Sequence, residues 1–142
     1  MKSEYKLDRR SWGPGPWVHE PEDVVDPWMD EATGLQCFAA RSQNGAWCGY
    51  VALGDDHPYR GLQEQDLLGD IQVHGGVTFC GPVLALVHCT QTIAPLGWAI
   101  GFSTSDTWLD KPPLDYGFWK LGSYKNLAFV RNEIKKLAKQ LA

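Results

Sequence analysis

SYKNLAFVRNEIKKLAKQLA, residues 123–142, repeats Leu127, Val130, Ile134, Leu137 and Leu141 at intervals of three and four, the period with which an α-helix returns to one face. The stretch reads as an amphipathic helix that needs an apolar surface to lie on. Ser123 is the expected N-cap. Lys135, Lys136 and Lys139 gather toward the C-terminal end, where cations complement the helix dipole, and they are expected to form a solvated face.

The surface that helix needs is found upstream. In LQCFAARSQNGAWCGYVAL, residues 35–53, two apolar runs flank Gln43-Asn44-Gly45, a turn signal, so the segment reads as a β-hairpin. Ile71-Gln72-Val73 and Val77-Thr78-Phe79 look like two short strands around His74-Gly75-Gly76. Val83 to Cys89 and Gly97 to Ser103 are apolar runs of strand length, and Gln63 to Gly69 has room for one helical turn. Thr104 to Gly122 reads as an aromatic loop. The expected fold class is α+β: an antiparallel sheet with a C-terminal amphipathic helix packed on one face and Trp/Pro-rich irregular arms.

At 142 residues the chain fits a single domain, 1–142. Within it, residues 1–10 read as flexible, 11–34 as an irregular Trp/Pro arm, 35–103 as the sheet and 123–142 as the helix. Prolines and glycines in SWGPGPWVHEPEDVVDPWMD, residues 11–30, oppose any long regular element, and Trp12, Trp17 and Trp28 are expected to anchor the arm. A net charge of -4 argues against general nucleic-acid binding, which needs a surplus of Lys and Arg, but leaves room for a local basic pocket. No run approaches the about 20 apolar residues of a membrane span, and the polar first ten residues resemble neither signal peptide nor anchor. A cytoplasmic protein is the expectation, with Cys37, Cys48, Cys80 and Cys89 reduced and buried in apolar runs.

Candidate chemistry concentrates in two loops. His74 precedes two glycines whose bare backbone can donate N–H groups to an anion, and His57 is held by Pro58 in a glycine-bracketed loop with Tyr59 and Arg60. Tyr59 and Arg60 are expected to face solvent. The candidate ligand site is therefore His57, Tyr59, Arg60, His74, Gly75 and Gly76. Trp47, Tyr50, Trp98 and Trp108 are further stacking candidates, and Arg41 a further phosphate partner. His57, His74, His88 and Cys89 lack metal-ligand spacing, and the neighbours His88 and Cys89 point to opposite faces of a strand. No metal and no cofactor is expected. Nucleophile-elbow, P-loop and dinucleotide signatures are absent, and Cys48 and Cys80 read as inert thiols with no activating charge.

The order of the landmarks carries a resemblance. Trp12, Gly15-Pro16-Trp17, Glu20-Pro21, Trp28, Thr33-Gly34-Leu35 and Cys37 precede Trp47-Cys48-Gly49-Tyr50-Val51. His57-Pro58, Gly61, Val73-His74-Gly75-Gly76-Val77-Thr78-Phe79, Gly101-Phe102 and Tyr124-Lys125-Asn126-Leu127-Ala128-Phe129-Val130 follow. Along nearly its whole length the chain resembles a family of small uncharacterised bacteriophage and bacterial proteins. In that family the Gly-Phe pair is commonly followed by Asp-Cys-Ala-His, whereas here Phe102 is followed by Ser103-Thr104-Ser105-Asp106. The departure removes a histidine and an acid that could have worked with His57 and His74, and it tilts the reading from catalysis to binding.

Three functions are consistent with these residues. The first is a phage-type accessory protein that binds a small anionic, nucleotide-like ligand, with an anti-defence role in the host cytoplasm. The second is a hydrolase-like enzyme with His57 and His74 as an acid–base pair, oriented by Asp55, Asp56 or Asp106. The third is an interaction or inhibitor module that meets a host protein through its tryptophan-rich arm.

Overall fold

Gln43-Asn44-Gly45 closes the expected hairpin: Ser42 and Gly45 make the turn's backbone hydrogen bonds, and Gly45 takes the positive φ of 88° that the reversal requires. In the computed structural model, which describes residues 6–54, 56–67, 69–82, 97–105, 107, 109–114 and 122–142, this hairpin is the centre of an antiparallel sheet. Its strands are β1 (Val24–Met29), β2 (Gln36–Arg41), β3 (Trp47–Leu53), β4 (Phe79–Pro82) and β5 (Trp98–Ser103), ordered β1-β2-β3-β5-β4. One α-helix among the described residues, α1 (Leu127–Leu141), packs across β3 and β2. The fold is α+β, with the sheet covered on one face by the C-terminal helix.

Strand alternation sorts the side chains. Cys37, Ala39, Trp47, Val51, Ile100 and Phe102 face the helix and meet Val130, Ile134, Leu137, Ala138 and Leu141 in the main core. Each such Val, Ile or Leu side chain, fully buried, contributes about 1.5–3 kcal/mol. Gly49 lies under the helix, where an added Cβ would come within 2.6 Å of Phe102 and 2.7 Å of Ile134, so the close approach of α1 depends on a missing side chain. On the opposite face Phe38 stacks on Tyr50 at 4.8 Å, and Phe79 meets Tyr50 edge-on.

The structure redraws four boundaries. The arm contains an edge strand: Val24 and Val25 suit a strand, and Pro27 is tolerated because β1 has a free side and a register shift between Val25 and Trp28. Of the two segments around His74, Ile71-Gln72-Val73 is not a strand, while Val77-Thr78-Phe79 leads into β4: Thr78 N–H donates to the Gly101 carbonyl and Phe79 opens the strand. Helix side chains hold the first segment and the turn, with Gln140 exchanging two hydrogen bonds with the Gln72 backbone and Glu133 accepting from His74 N–H at 3.0 Å. The helix begins at Leu127 with Asn126 as N-cap, its side chain accepting from Phe129 N–H at 2.9 Å. Ser123 cannot cap, since its backbone is paired with Leu109 and Lys111 in a bridge to the Asp110 loop. The turn in Gln63 to Gly69 is a 3-10 turn at Glu64–Leu67. Val83 to Cys89, including His88, lies outside the described residues, as do Asp55, Asp106 and Trp108.

Candidate functional site

The two sequence-predicted histidines serve opposite ends of α1. His57 donates from Nε2 to the Leu141 carbonyl, one of the acceptors a helix leaves unpaired at its C-terminus, while Nδ1 accepts from Tyr59 N–H at 3.0 Å. Both ring nitrogens are thus committed to the fold. His74 lies near the helix start, its ring edge-on to Phe129 at 5.0 Å. From Phe129 to Leu141 a helix rises about 18 Å. The geometry therefore does not bring His57 and His74 within hydrogen-bond reach of one substrate bond, and an acid–base pair made of these two is not assembled.

Tyr59 and Arg60 are half-buried rather than turned to solvent: Tyr59 packs against the main core, and Arg60 turns Nη1 inward. Gly75 and Gly76 both have positive φ, and space beside Gly76 is open, in keeping with a tight exposed turn. His74 sits 2.7 Å through Nε2 from Asp110 Oδ1, with 13% of its side chain exposed and Asp110 at 0%. Lys125 Nζ stands 3.7 Å from the same carboxylate oxygen, and Thr107 N–H donates to the other. His74 Nδ1 has no partner among the described residues. Asp110 carries no signal in the sequence, because only the folding of the aromatic loop onto the Gly75-Gly76 turn creates the pair.

Arg41 is spoken for. It is fully buried, its guanidinium donating to the carbonyls of Glu20, Glu22 and Gly45 and to the Tyr124 hydroxyl. It lies 4.3 Å over the Trp47 ring and 5.4 Å over Trp12, with Asp23 Oδ1 at 3.4 Å. Glu20 links this hub to the helix start, accepting from Trp47 Nε1, the Tyr124 hydroxyl and Leu127 N–H. Of the arm tryptophans, Trp12 is buried, while Trp17 and Trp28 are half-buried against Tyr124 and Arg131. The arm thus spends its aromatic surface on its own domain.

The thiols are quiet. Cys37, Cys48 and Cys80 are reduced and buried; burial, helped by the nearby Asp30 charge, pushes the Cys37 thiol up to about 12. Burial together with Glu64 and Asp66 pushes Cys80 up to about 11. Neither offers a thiolate nucleophile at neutral pH. Among the described residues no group of three or more His, Cys, Asp or Glu side chains converges to hold a metal. No described helix is long and apolar enough to cross a membrane.

A hollow that the sequence did not announce runs between the β1–β2 corner and α1. It measures about 930 Å³, and its lining includes Trp28, Glu31, Arg131, Lys135, Lys136 and Lys139. The Arg131 guanidinium lies 4.5 Å over the Trp28 ring. Lys136 is paired with Glu133 at 2.9 Å, whereas Arg131, Lys135 and Lys139 have no carboxylate partner among the described residues. Asp30, also at the groove wall, turns its carboxylate back into its own turn to accept from Thr33 N–H and Oγ1. The lysines expected to be a merely solvated face thus line a concave, cationic surface beside an aromatic ring.

Comparison of the chain with protein-family models, with curated proteins and with solved structures gives no match.

Proposed function

We propose that this protein is a binding protein for a small anionic, nucleotide-like ligand, seated in the groove between Trp28 and the cationic face of α1. The observation that carries the reading is the convergence of Trp28, Arg131, Lys135 and Lys139 on one hollow of about 930 Å³, within the roughly 300–1,000 Å³ of small-molecule sites. Cations on an otherwise acidic chain, at net charge -4, make the groove a local attractor for anions. The resemblance to bacteriophage proteins gives such binding a setting, the capture of a host signalling nucleotide.

Thermal-shift and calorimetric titration with linear and cyclic nucleotides tests this. Stabilisation by nucleotides, lost in the double variant Lys135→Glu/Lys139→Glu, is the expected result. Absence of any shift with every anionic ligand overturns it, and so does a shift that survives the charge reversal but disappears in His74→Ala.

A second reading, acid–base catalysis, is favoured by the His74–Asp110 contact of 2.7 Å. A buried carboxylate that orients an imidazole through one nitrogen leaves the other for a proton of water or substrate. In that reading Asp110 takes the orienting role assigned from sequence to Asp55, Asp56 or Asp106. Phosphodiester hydrolysis lost in His74→Gln and strongly reduced in Asp110→Asn, with folding intact by circular dichroism, would support it. Full activity in both variants would end it.

A further inference from the structure

Arg131, Lys135 and Lys139 follow one another at four-residue steps along α1, and all three line the groove. A helix advances about 6 Å over four residues and turns about 40° past a full circle. The three cations therefore form a shallow stripe about 12 Å long, rather than a cluster around one point. Arg131 differs from the two lysines in lying over an aromatic surface, its guanidinium carbon 4.5 Å from the centre of the Trp28 ring. A guanidinium so placed is a platform for a nucleobase, since bases stack on arginine planes as they do on aromatic rings. Lys135 and Lys139 remain as two point charges one helical turn apart, neither in an ion pair among the described residues, with Glu31 the acid that shares the groove lining.

Resting on the groove reading above, we infer that the ligand carries two phosphates separated by a nucleoside: a dinucleotide, with one base on the Arg131–Trp28 platform and its phosphates on Lys135 and Lys139. A mononucleotide can reach only one of the two lysines while its base is stacked. A nucleoside triphosphate carries more charge, but its phosphates are joined through single oxygens, so neighbouring phosphates lie closer together than one helical turn. Spacing, not total charge, is what the stripe selects. Linear 5′-phosphorylated dinucleotides and cyclic dinucleotides share this chemistry, and both belong in the test.

The experiment is isothermal titration of the full chain, at one fixed ionic strength, with AMP, ATP, the linear dinucleotide pApA and cyclic di-AMP. A dinucleotide, linear or cyclic, is expected to bind more tightly than ATP and AMP, and the tighter of the two identifies the source. Lys139→Gln is expected to weaken that dinucleotide on the order of fivefold, the scale of one exposed ion pair, and to weaken AMP by a smaller factor. Lys139 is exposed on the helix, so the variant should fold, and its melting curve checks that. Affinities that simply follow charge, with ATP tightest, or a Lys139→Gln loss equal for AMP and dinucleotide, overturn the spacing inference while the groove reading stands. No binding of any of the four removes both.

Discussion

At the scale of single residues, the most demanding group in the molecule is Arg41. Its charge is removed from water and satisfied by carbonyls, the Tyr124 hydroxyl, the Asp23 carboxylate and the faces of Trp12 and Trp47. Asp23 is itself buried, with Arg9 at 2.5 Å as its second cation. Replacing Arg41 by Met keeps the apolar stem but takes the donor from the Gly45 carbonyl and removes the buried cation beside Asp23 and Glu20, leaving Asp23 to Arg9. Breaking such a buried pair costs about 3–5 kcal/mol. Arg41→Met is therefore expected to lower the urea midpoint sharply and to red-shift tryptophan fluorescence as Trp12 loses its cover. Arg41→Lys should recover little, because a point charge cannot reproduce a planar fork that serves several acceptors at once. A midpoint within error of wild type would show that the arm is held by packing alone. None of this was legible in the sequence, where Arg41 looked like a free phosphate partner: a charged residue at a strand end gives no local sign of the acids and rings that other segments bring to it.

At the scale of elements, the helix was legible because its apolar period is a property of the segment itself, and the hairpin because its turn chemistry is local. What escaped was set by neighbours. Ser123 fits a cap by composition, yet its backbone belongs to the bridge with Asp110, and Asn126 caps instead. β1 hid behind Pro27, since only an edge position with a register shift tolerates it. The helix start is served twice, by the Asn126 side chain on Phe129 N–H and by Glu20 from the arm on Leu127 N–H at 2.7 Å. A carboxylate there also complements the helix dipole. Asn126→Ala should cost about 1 kcal/mol, the usual loss for an N-cap. Glu20→Gln should cost more, because that carboxylate also accepts from Tyr124 and Trp47. Since both variants act on the first turn, a double-mutant cycle by chemical denaturation should show coupling rather than additivity. Additive losses would mean that the arm and the cap stabilise α1 independently.

At the scale of the whole molecule, the predicted site and the groove differ for a physical reason. Histidines beside glycines stand out in a sequence, but here His57 closes the helix end and His74 ties the turn to Asp110, Glu133 and Phe129. The groove needs β1, the corner after it and α1, about a hundred residues apart in the chain, and its lysines look like any solvated helix face until a wall with Trp28 stands opposite. The same long-range assembly distributes buried proton-holding groups through the fold. Burial holds the Tyr124 hydroxyl up to about 12, reinforced by its hydrogen bond to Glu20 and opposed by Arg41. Cys37 on β2 is raised to about 12 and Cys80 on β4 to about 11. In each case the folded state keeps its proton to higher pH than the unfolded chain, whose thiols and phenol release theirs from about pH 9 and 10. Below that range these groups are protonated in both states and add no pH dependence. Above it the unfolded state binds fewer protons, so stability falls as pH rises toward 11 to 12. Melting temperatures followed from neutral to strongly alkaline buffer should therefore be level at first and then decline. Tyr124→Phe should flatten the upper part of that decline, and Cys80→Ala its onset. An unchanged slope in both variants would place the alkaline loss in other groups and leave the burial of these three without consequence for folding.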